Sequence, residues 1–290
     1  MPSYLSAEIS QDLPIVSTEE YQPIYECVDH ELQKRLEKTI LARPQWKELV
    51  GEKKMSVALV DITNPAEPLY ASLNGEETMY AASMPKIAIL LAAFQQIHDG
   101  TLENTEAIRE DLGAMIRVSS NPAATRMIET VGGLDKVNMV LTDPRYGLYD
   151  EDRGGGLWVG KKYAQQGQRI GDPLYGISHA ANTLQVARFY YLLATGRLVS
   201  PEASYKMLQI LSKPGINHKF VASLNTNVDG TDIFRKSGSW RNFHADSALV
   251  WDDEWRRYIL VSIIESPDGG TVLQELISIA ENILRSQHDN

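Results

Sequence analysis

The sequence contains a single cysteine, Cys27, among 290 residues, so no internal disulfide can form and the redox compartment stays open. Cys27 sits in a helical pattern and is expected in the core. Basic residues are also scarce: 28 Lys and Arg face 38 Asp and Glu, a net charge of −10. Without a basic run, such a surface repels nucleic acid over most of its area, which excludes a general nucleic-acid binder. No apolar run approaches the 18 or so residues that cross a bilayer, and the run Ile87–Phe94 is only eight long. Residues 1–20 have neither a positive start nor a continuous apolar stretch, so they are not a secretory signal. The expectation is a cytoplasmic protein, or a periplasmic or secreted one if a signal was removed earlier. There is no internal repeat and no low-complexity tract. What is present is ordinary for a soluble domain: 43% hydrophobic and 23% charged residues, on a chain long enough to bury a large core.

Taken in order, residues 1–22 are polar, carry Pro2 and Pro14, and read as an arm. From Ile24 to about Arg43 the positions Ile24, Cys27, Val28, Leu32, Leu36 and Ile40 have helical spacing. Strands are expected at Met55–Val60 and Leu69–Leu73, with a turn at Asn74-Gly75. Helices follow from Ser83 to near Gly100 and over Thr105–Val118. Asn121-Pro122 breaks that pattern, and Ala123–Val131 resumes it before Gly132-Gly133. Asp143–His179 is long, glycine-rich and aperiodic, the kind of stretch that is usually functional or mobile. Helices at Thr183–Thr195 and Pro201–Leu211 precede strands at Asp232–Ser237, Ala245–Trp251 and Tyr258–Ile264, and a helix at Val272–Leu284 closes the chain. Strands at both ends around a helical middle imply an α/β fold of the α+β type. Its antiparallel sheet is built from the two chain ends, with terminal helices on one face and the helical middle on the other. The expected organisation is one domain over 23–290, with an α/β lobe from 23–82 and 215–290 and an all-helical lobe over 83–214.

Three short constellations can carry chemistry. Ser83 follows two alanines, precedes Pro85 by two positions, and opens a helix-forming run, so it belongs at a helix N-terminus. Lys86, three residues on, shares its helical face. A serine hydroxyl needs a base, and a lysine out of water or beside other cations can be neutral enough to serve. Ser119-Ser120-Asn121 places a hydroxyl and an amide at an interrupted helix end, although capping alone could account for it. The same Ser-x-Asn spacing recurs at Ser72/Asn74 and Ser223/Asn225. Lys236-Ser237-Gly238-Ser239 joins a cation, hydroxyls and a glycine that lets a ligand approach a strand.

In the order Ser-x-x-Lys, Ser-x-Asn, Lys-Ser-Gly, these motifs resemble the set found in class A β-lactamases and penicillin-binding proteins. The likeness runs from the strand near Met55 to the closing helix and includes Met115-Ile116-Arg117-Val118 and Gly132-Gly133. It implies a β-lactamase/transpeptidase-like fold and a serine hydrolase acting through an acyl-enzyme. Ser83 would be the nucleophile, Lys86 its proton partner, and Ser119 the shuttle to the leaving nitrogen. Asn121 would hold the substrate amide, Lys236 would add positive potential, and Ser237 would bind a carboxylate. The N–H groups of Ser83 and Ser239 would form an oxyanion hole, beside Gly238, with donors worth roughly 3 kcal/mol each. The substrate is expected to be a small-molecule or peptide-like acyl compound, anionic, on β-lactams or related amides and esters. No cofactor or metal is implied, nor a nucleic-acid or membrane-spanning role. A penicillin-binding-type peptidase or esterase with little lactam turnover, or a sensor that is acylated once, remains open.

Two departures from the resembled pattern stand out. Ser119 follows Ser83 by only 36 residues, implying a trimmed helical lobe and a more open cleft. Class A enzymes also place a water-activating glutamate on a loop after Ser-x-Asn. Aligning Asp152-Arg153 with the pair that opens that loop puts Gly155 at the glutamate position, and only Asp150, Glu151 and Asp152 are near enough to substitute. Gly155–Lys161 also mimics a phosphate loop, but Lys162 stands where a magnesium-binding Ser or Thr belongs and no strand precedes it. No Gly-x-Ser-x-Gly occurs. The six histidines lack metal spacing; His179 and His244, expected nearest the cleft, read as satisfied polar groups.

Overall fold

The computed structural model describes residues 10–15, 21–164, 166–224 and 230–288. The first elements are His30–Leu41 (α1), Pro44–Gly51 (α2), Met55–Asp61 (β1), Leu69–Leu73 (β2) and Met79–Tyr80 (β3). The middle holds Lys86–His98 (α3), Glu106–Arg117 (α4), Asn121–Thr130 (α5) and Leu134–Leu141 (α6). Short strands follow at Tyr149–Asp150 (β4), Gly155–Gly156 (β5), Trp158–Val159 (β6) and His179–Ala181 (β7). Then come Thr183–Ala194 (α7), Pro201–Leu211 (α8), Phe220–Leu224 (α9), Asp232–Trp240 (β8), Phe243–Trp251 (β9), Arg257–Glu265 (β10) and Gly269–His288 (α10).

The main sheet has the order β2-β1-β10-β9-β8, with every neighbouring pair antiparallel. Strand β1 is buried on both faces, which explains why it reads as an apolar run rather than an alternation. Because successive side chains point to opposite faces, Val57 and Leu59 join Leu32 and Leu36 of α1 and Leu273 and Leu276 of α10. Ala58 and Val60 join the other core, with Leu90 of α3 and Phe189 of α7. Residues Lys86 to Gln95 of α3 are all buried, as expected of a helix that is hydrophobic all round and enclosed by other elements. No helix among the described residues is long and apolar enough to cross a membrane.

The structure corrects several local expectations. The pattern from Ile24 to Arg43 is not one helix: Ile24–Glu26 is a single 3-10 turn, Val28 bridges to Tyr70, and α1 starts only after Asp29. The Asp29 carboxylate accepts from the Leu32 N–H at 2.7 Å, a strong N-cap that overrides the upstream spacing. Cys27 is therefore only half-buried, its thiol near Gln22 and Pro23 rather than in the core. The helical pattern is interrupted as expected, but between Arg117 and Asn121 rather than at the proline: Ser120 caps α5, and Pro122 sits in its first turn, where it loses no bond. Helices α6 and α9 have no counterpart in the periodicity reading. Strands β8 and β9 each extend to nine residues, since their full-length pairing satisfies polar positions that carry no hydrophobic signal. Of the arm, residues 10–15 lie against the body: Leu13 is buried and Ile15 N–H donates to Ala194 O at 2.7 Å.

Candidate active site

Ser83 lies in the tight turn between β3 and α3. Ala81 N–H donates to His179 O at 2.8 Å, Met84 N–H to Ala81 O at 3.0 Å, and Lys86 N–H to Ser83 O at 3.3 Å. Ala82, directly before the serine, has a φ of 52°, a left-handed conformation that costs a non-glycine residue about 1–2 kcal/mol. Strand β8 presses on the same turn. A Cβ at Gly238 would lie 2.1 Å from Ala81 O and 2.8 Å from Ser83 N, so only glycine allows this approach. The backbones of Ser83 and Ser239 thereby face one cleft, which both residues line.

Lys86 is fully buried. Its Nζ donates to Ser119 O at 2.6 Å, Asn121 Oδ1 at 2.8 Å and Ser119 Oγ at 3.3 Å. Burial without a neighbouring carboxylate disfavours its charged form and pushes its pKa down to about 7. Ser119, with a φ of 57°, also accepts from Lys236 Nζ at 2.9 Å, so one hydroxyl bridges two amines. Lys236 donates as well to Ser237 O at 2.8 Å. Burial, with the charge of Lys86 adding to it, holds Lys236 well below its ordinary pKa. The long pairing of β8 with β9 fixes this side chain from behind, where Ser247 Oγ donates to Lys236 O at 2.8 Å. Ser83, Lys86, Ser119, Asn121, Lys236, Ser237, Gly238 and Ser239, far apart in sequence, are thus brought to one place.

Several residues at this place lie outside the three sequence motifs. His218 Nε2 is 3.2 Å from Ser237 Oγ, and burial lowers this imidazole to about 4, so it is neutral near pH 7. Lys219, with a φ of 54°, donates from Nζ to Gly238 O at 2.6 Å, Ser239 Oγ at 2.8 Å and Ala245 O at 3.1 Å. Burial pushes its pKa down to about 8. Arg235 and Asp246, both buried, pair at 2.7 and 2.8 Å behind β8. For Arg235 and Asp246 a signal was available, charge at otherwise inward strand positions, where an unpaired ion is too costly to keep.

The other wall of the cleft is built from the segment after β6 and from β7. Tyr163 stacks on His179, with centroids 4.3 Å apart and planes 1° apart, and its hydroxyl donates to Ala82 O at 3.2 Å. Lys86 Nζ lies 4.5 Å from the Tyr163 ring centroid. Tyr163, not Gly155, is therefore the residue of this loop that meets the lysine. Gly155 pairs with Asp150 in a hairpin pinned behind the cleft, where Arg153 meets Glu76 at 3.0 Å and Thr78 Oγ1 donates to Gly154 O at 2.6 Å. Asp150, Glu151 and Asp152 belong to that hairpin and do not line the cleft. Gly155-Gly156 forms a strand, and among the described residues the next helix after Lys161 begins only at Thr183, which removes the phosphate-loop geometry. Of the two histidines singled out, His179 lines the cleft, and burial lowers it to about 4. His244 does not, because on β9 it points to the opposite face and packs on Gly269. Asn225, of the weak Ser223/Asn225 pattern, lies outside the described residues.

The cleft measures about 1360 Å³, larger than most single-ligand pockets. The chain is similar to the solved structure of PBP-A at 17% identity and a TM-score of 0.66, over 95% of this chain and 100% of that one. It is similar to a PBP-A variant solved as its acyl-enzyme complex with penicillin G at 18% and 0.65, over 91% and 98%. A β-lactamase from Sphaerobacter thermophilus matches at 18% and 0.66, over 86% and 95%. At these identities the likeness establishes the fold, mixed helices and antiparallel sheet of the class A β-lactamase type. No curated protein matches the chain. A family model described as the beta-lactamase enzyme family matches residues 35–112 and 107–286. With that match spanning most of its length, the chain belongs to the beta-lactamase enzyme family, and a serine β-lactamase-like hydrolase is what its fold and motifs together describe.

Proposed function

We propose that the protein forms an acyl-enzyme on Ser83 with β-lactams or related amides and esters. The observation that carries this reading is the buried amine of Lys86, one helical turn from Ser83, with its pKa pushed to about 7 and no carboxylate partner. A base poised near the working pH combines availability with driving force for proton transfer. Neutral Lys86 takes the Ser83 hydroxyl proton as Oγ bonds to the substrate carbonyl carbon. The oxygen takes up negative charge toward the Ser83 and Ser239 N–H groups, and donors already in place there cost no reorganisation. The C–N bond then breaks, and its nitrogen receives a proton through Ser119 Oγ, which touches both Lys86 and Lys236. Water attack on the ester, in the reverse sense, releases the acid and restores Ser83. Ser237 and the amine donors of the β8 wall supply the site for a substrate carboxylate, and Asn121 the contact for its amide.

A specific observation favours a slow second half of this cycle. No Asp or Glu lines the cleft among the described residues, so a deacylating water finds no carboxylate base. That supports a lasting adduct, as in a penicillin-binding-type enzyme or an acylated sensor, and a solved PBP-A variant does hold penicillin G as an acyl-enzyme. Intact-mass spectrometry after mixing with a penicillin and a chromogenic cephalosporin tests both halves. A mass increase equal to the penicillin, absent in Ser83→Ala, is expected, with slow colour development. Fast colour development would overturn the slow second half. An unchanged mass, with esters cleaved equally by Ser83→Ala, would overturn the nucleophile.

A further inference from the structure

The acylation chemistry at Ser83 leaves one buried amine beside it unused. Lys219 is 4% exposed, and its Nζ donates to Gly238 O, Ser239 Oγ and Ala245 O, all within 3.1 Å. A lysine ammonium has three N–H donors, and these three oxygens take them, so none is left for a substrate. Burial pushes the group down to about 8, with the Asp246 carboxylate opposing, so the ammonium form predominates at pH 7. The main chain here is held without the help of this side chain. Arg235 donates to Ile216 O at 3.0 Å and to His218 O at 3.3 Å, and Asp246 accepts from the Phe220 N–H. These bonds hold Lys219 in its left-handed conformation, with a φ of 54°, a strain that persists only where neighbours over-determine it.

In a trans peptide the C=O and the following N–H point in opposite directions and share one resonance system, so Gly238 O and the Ser239 N–H are two ends of one dipole. An ammonium 2.6 Å from the oxygen end draws electron density toward it and makes the N–H a stronger donor. Linked hydrogen bonds strengthen one another in this way by about 10–30% each. The same peptide packs on the Ser83 turn, where a Cβ on Gly238 would meet Ala81 O and Ser83 N. Contacts at both its oxygen and its Cα therefore set its position relative to the nucleophile.

We propose that Lys219 is a positioning residue for acylation, acting through the Gly238–Ser239 peptide to hold the Ser239 N–H in place and strengthen it as a donor to the oxyanion. The inference rests on the reading of Ser83 as nucleophile and of the Ser239 N–H as one half of the oxyanion hole. In the ground state the substrate carbonyl carries little charge and gains little from a stronger donor. When Ser83 Oγ bonds to the carbonyl carbon, the C=O π pair moves onto oxygen, and the polarised N–H is then worth more. An interaction realised in the transition state raises the rate of acylation rather than the affinity for substrate. The bond from Nζ to Ser239 Oγ at 2.8 Å ties down the side chain of the same residue.

Stopped-flow acylation by saturating benzylpenicillin at pH 7, paired with equilibrium binding of benzylpenicillin in a Ser83→Ala background, separates rate from affinity. Removing an oxyanion donor outright costs about 10²–10³-fold in rate. Lys219→Met leaves the donor but takes away the ammonium behind it, and is expected to slow acylation roughly tenfold. In the Ser83→Ala background the same substitution should change the benzylpenicillin affinity by less than about twofold. Lys219→Gln keeps an N–H donor without the charge, and its rate should fall between those of Lys219→Met and the parent. Urea titration shows which variants are folded, and Lys219→Gln carries the comparison if Lys219→Met is not. An acylation rate within about twofold of the parent, or a loss of affinity as large as the loss of rate, overturns the role of Lys219 and leaves Ser83 standing. A parent protein that forms no adduct overturns Ser83 and the role of Lys219 together.

Discussion

The two walls of the cleft are built on opposite principles. The β8 wall is a nine-residue strand paired along its full length with β9, and each of its buried cations has fixed acceptors or a counter-ion. Lys236 rests on Ser119 and Ser237, Lys219 on three oxygens, and Arg235 on Asp246. The facing wall uses two- and three-residue strands and holds its shape through the Tyr163–His179 stack and single side-chain bonds, such as those of Asn138 to the Val159 backbone and of Trp158 Nε1 to Ile170 O. The contrast teaches that placing charge and backbone donors within tenths of an ångström needs a scaffold that cannot move. A surface that selects among acyl groups can sit on a loop.

The largest expected effect tests the rigid side at its meeting with the nucleophile. Lys86→Met keeps the volume of the side chain but removes the amine, and acylation by a penicillin should fall by about 10²–10⁴-fold. In the parent protein the acylation rate should rise with pH through a midpoint near 7 as Lys86 loses its proton, and that limb should vanish in the variant. Stopped-flow acylation rates from pH 5 to about 9 give both results. The same lysine makes a stability statement. Its folded pKa lies below the unfolded value, so the folded state binds fewer protons between pH 7 and about 10.4, and stability rises with pH across that window. Below pH 7 the contribution is flat.

Next in size is the counter-ion behind the strand. Asp246 accepts from Arg235 and from the Phe220 N–H at 3.1 Å, with no exposure to solvent. Asp246→Ala would leave a buried guanidinium unpaired and should cost about 3–5 kcal/mol of unfolding free energy, measured by urea titration. A loss under about 1 kcal/mol would mean that the β8 wall is not held as the comparison supposes.

The same contrast decides what could be read before the structure. Ser83, Ser119 and Lys236 were legible because each sits at the start of a helix or inside a strand, where short-range patterning places a side chain. The bounds of β2 and α8 coincide with the apolar periodicity, and the sheet follows from strands at both chain ends. Asp29 shows where periodicity fails, since a single capping carboxylate outweighed the helical spacing of Ile24, Cys27 and Val28. Tyr163 and Lys219 were illegible for another reason. Their positions depend on long-range contacts with Ala82, His179, Gly238 and Ala245, and nothing in the local sequence records a partner about 20 to 80 residues away. The loop alignment that pointed to Gly155 failed in the same way, because the hairpin at Asp150–Gly155 is anchored to Glu76 and Thr78, outside the cleft.

The smallest expected effect probes the loop wall. Tyr163→Phe removes the hydroxyl that donates to Ala82 O at 3.2 Å but keeps the ring on His179 and against Lys86. One such bond is worth about 0.5–1.5 kcal/mol, and Ala82 O retains the turn geometry set by the Ala81 N–H bond to His179 O. Unfolding free energy should therefore fall by about 1 kcal/mol or less, with acylation within about threefold of the parent. Tyr163→Ala removes the stack and uncovers one face of the Lys86 amine, so the lysine should regain water and its pKa should rise toward the ordinary range. The acidic limb of the acylation profile then moves to higher pH, although the only titratable group removed, the Tyr163 phenol, stays protonated across this range because burial holds it well above its ordinary pKa. If that limb stays at its parent position in Tyr163→Ala, Lys86 owes its low pKa to the buried β8 side alone. The two walls would then be independent rather than halves of one desolvated site.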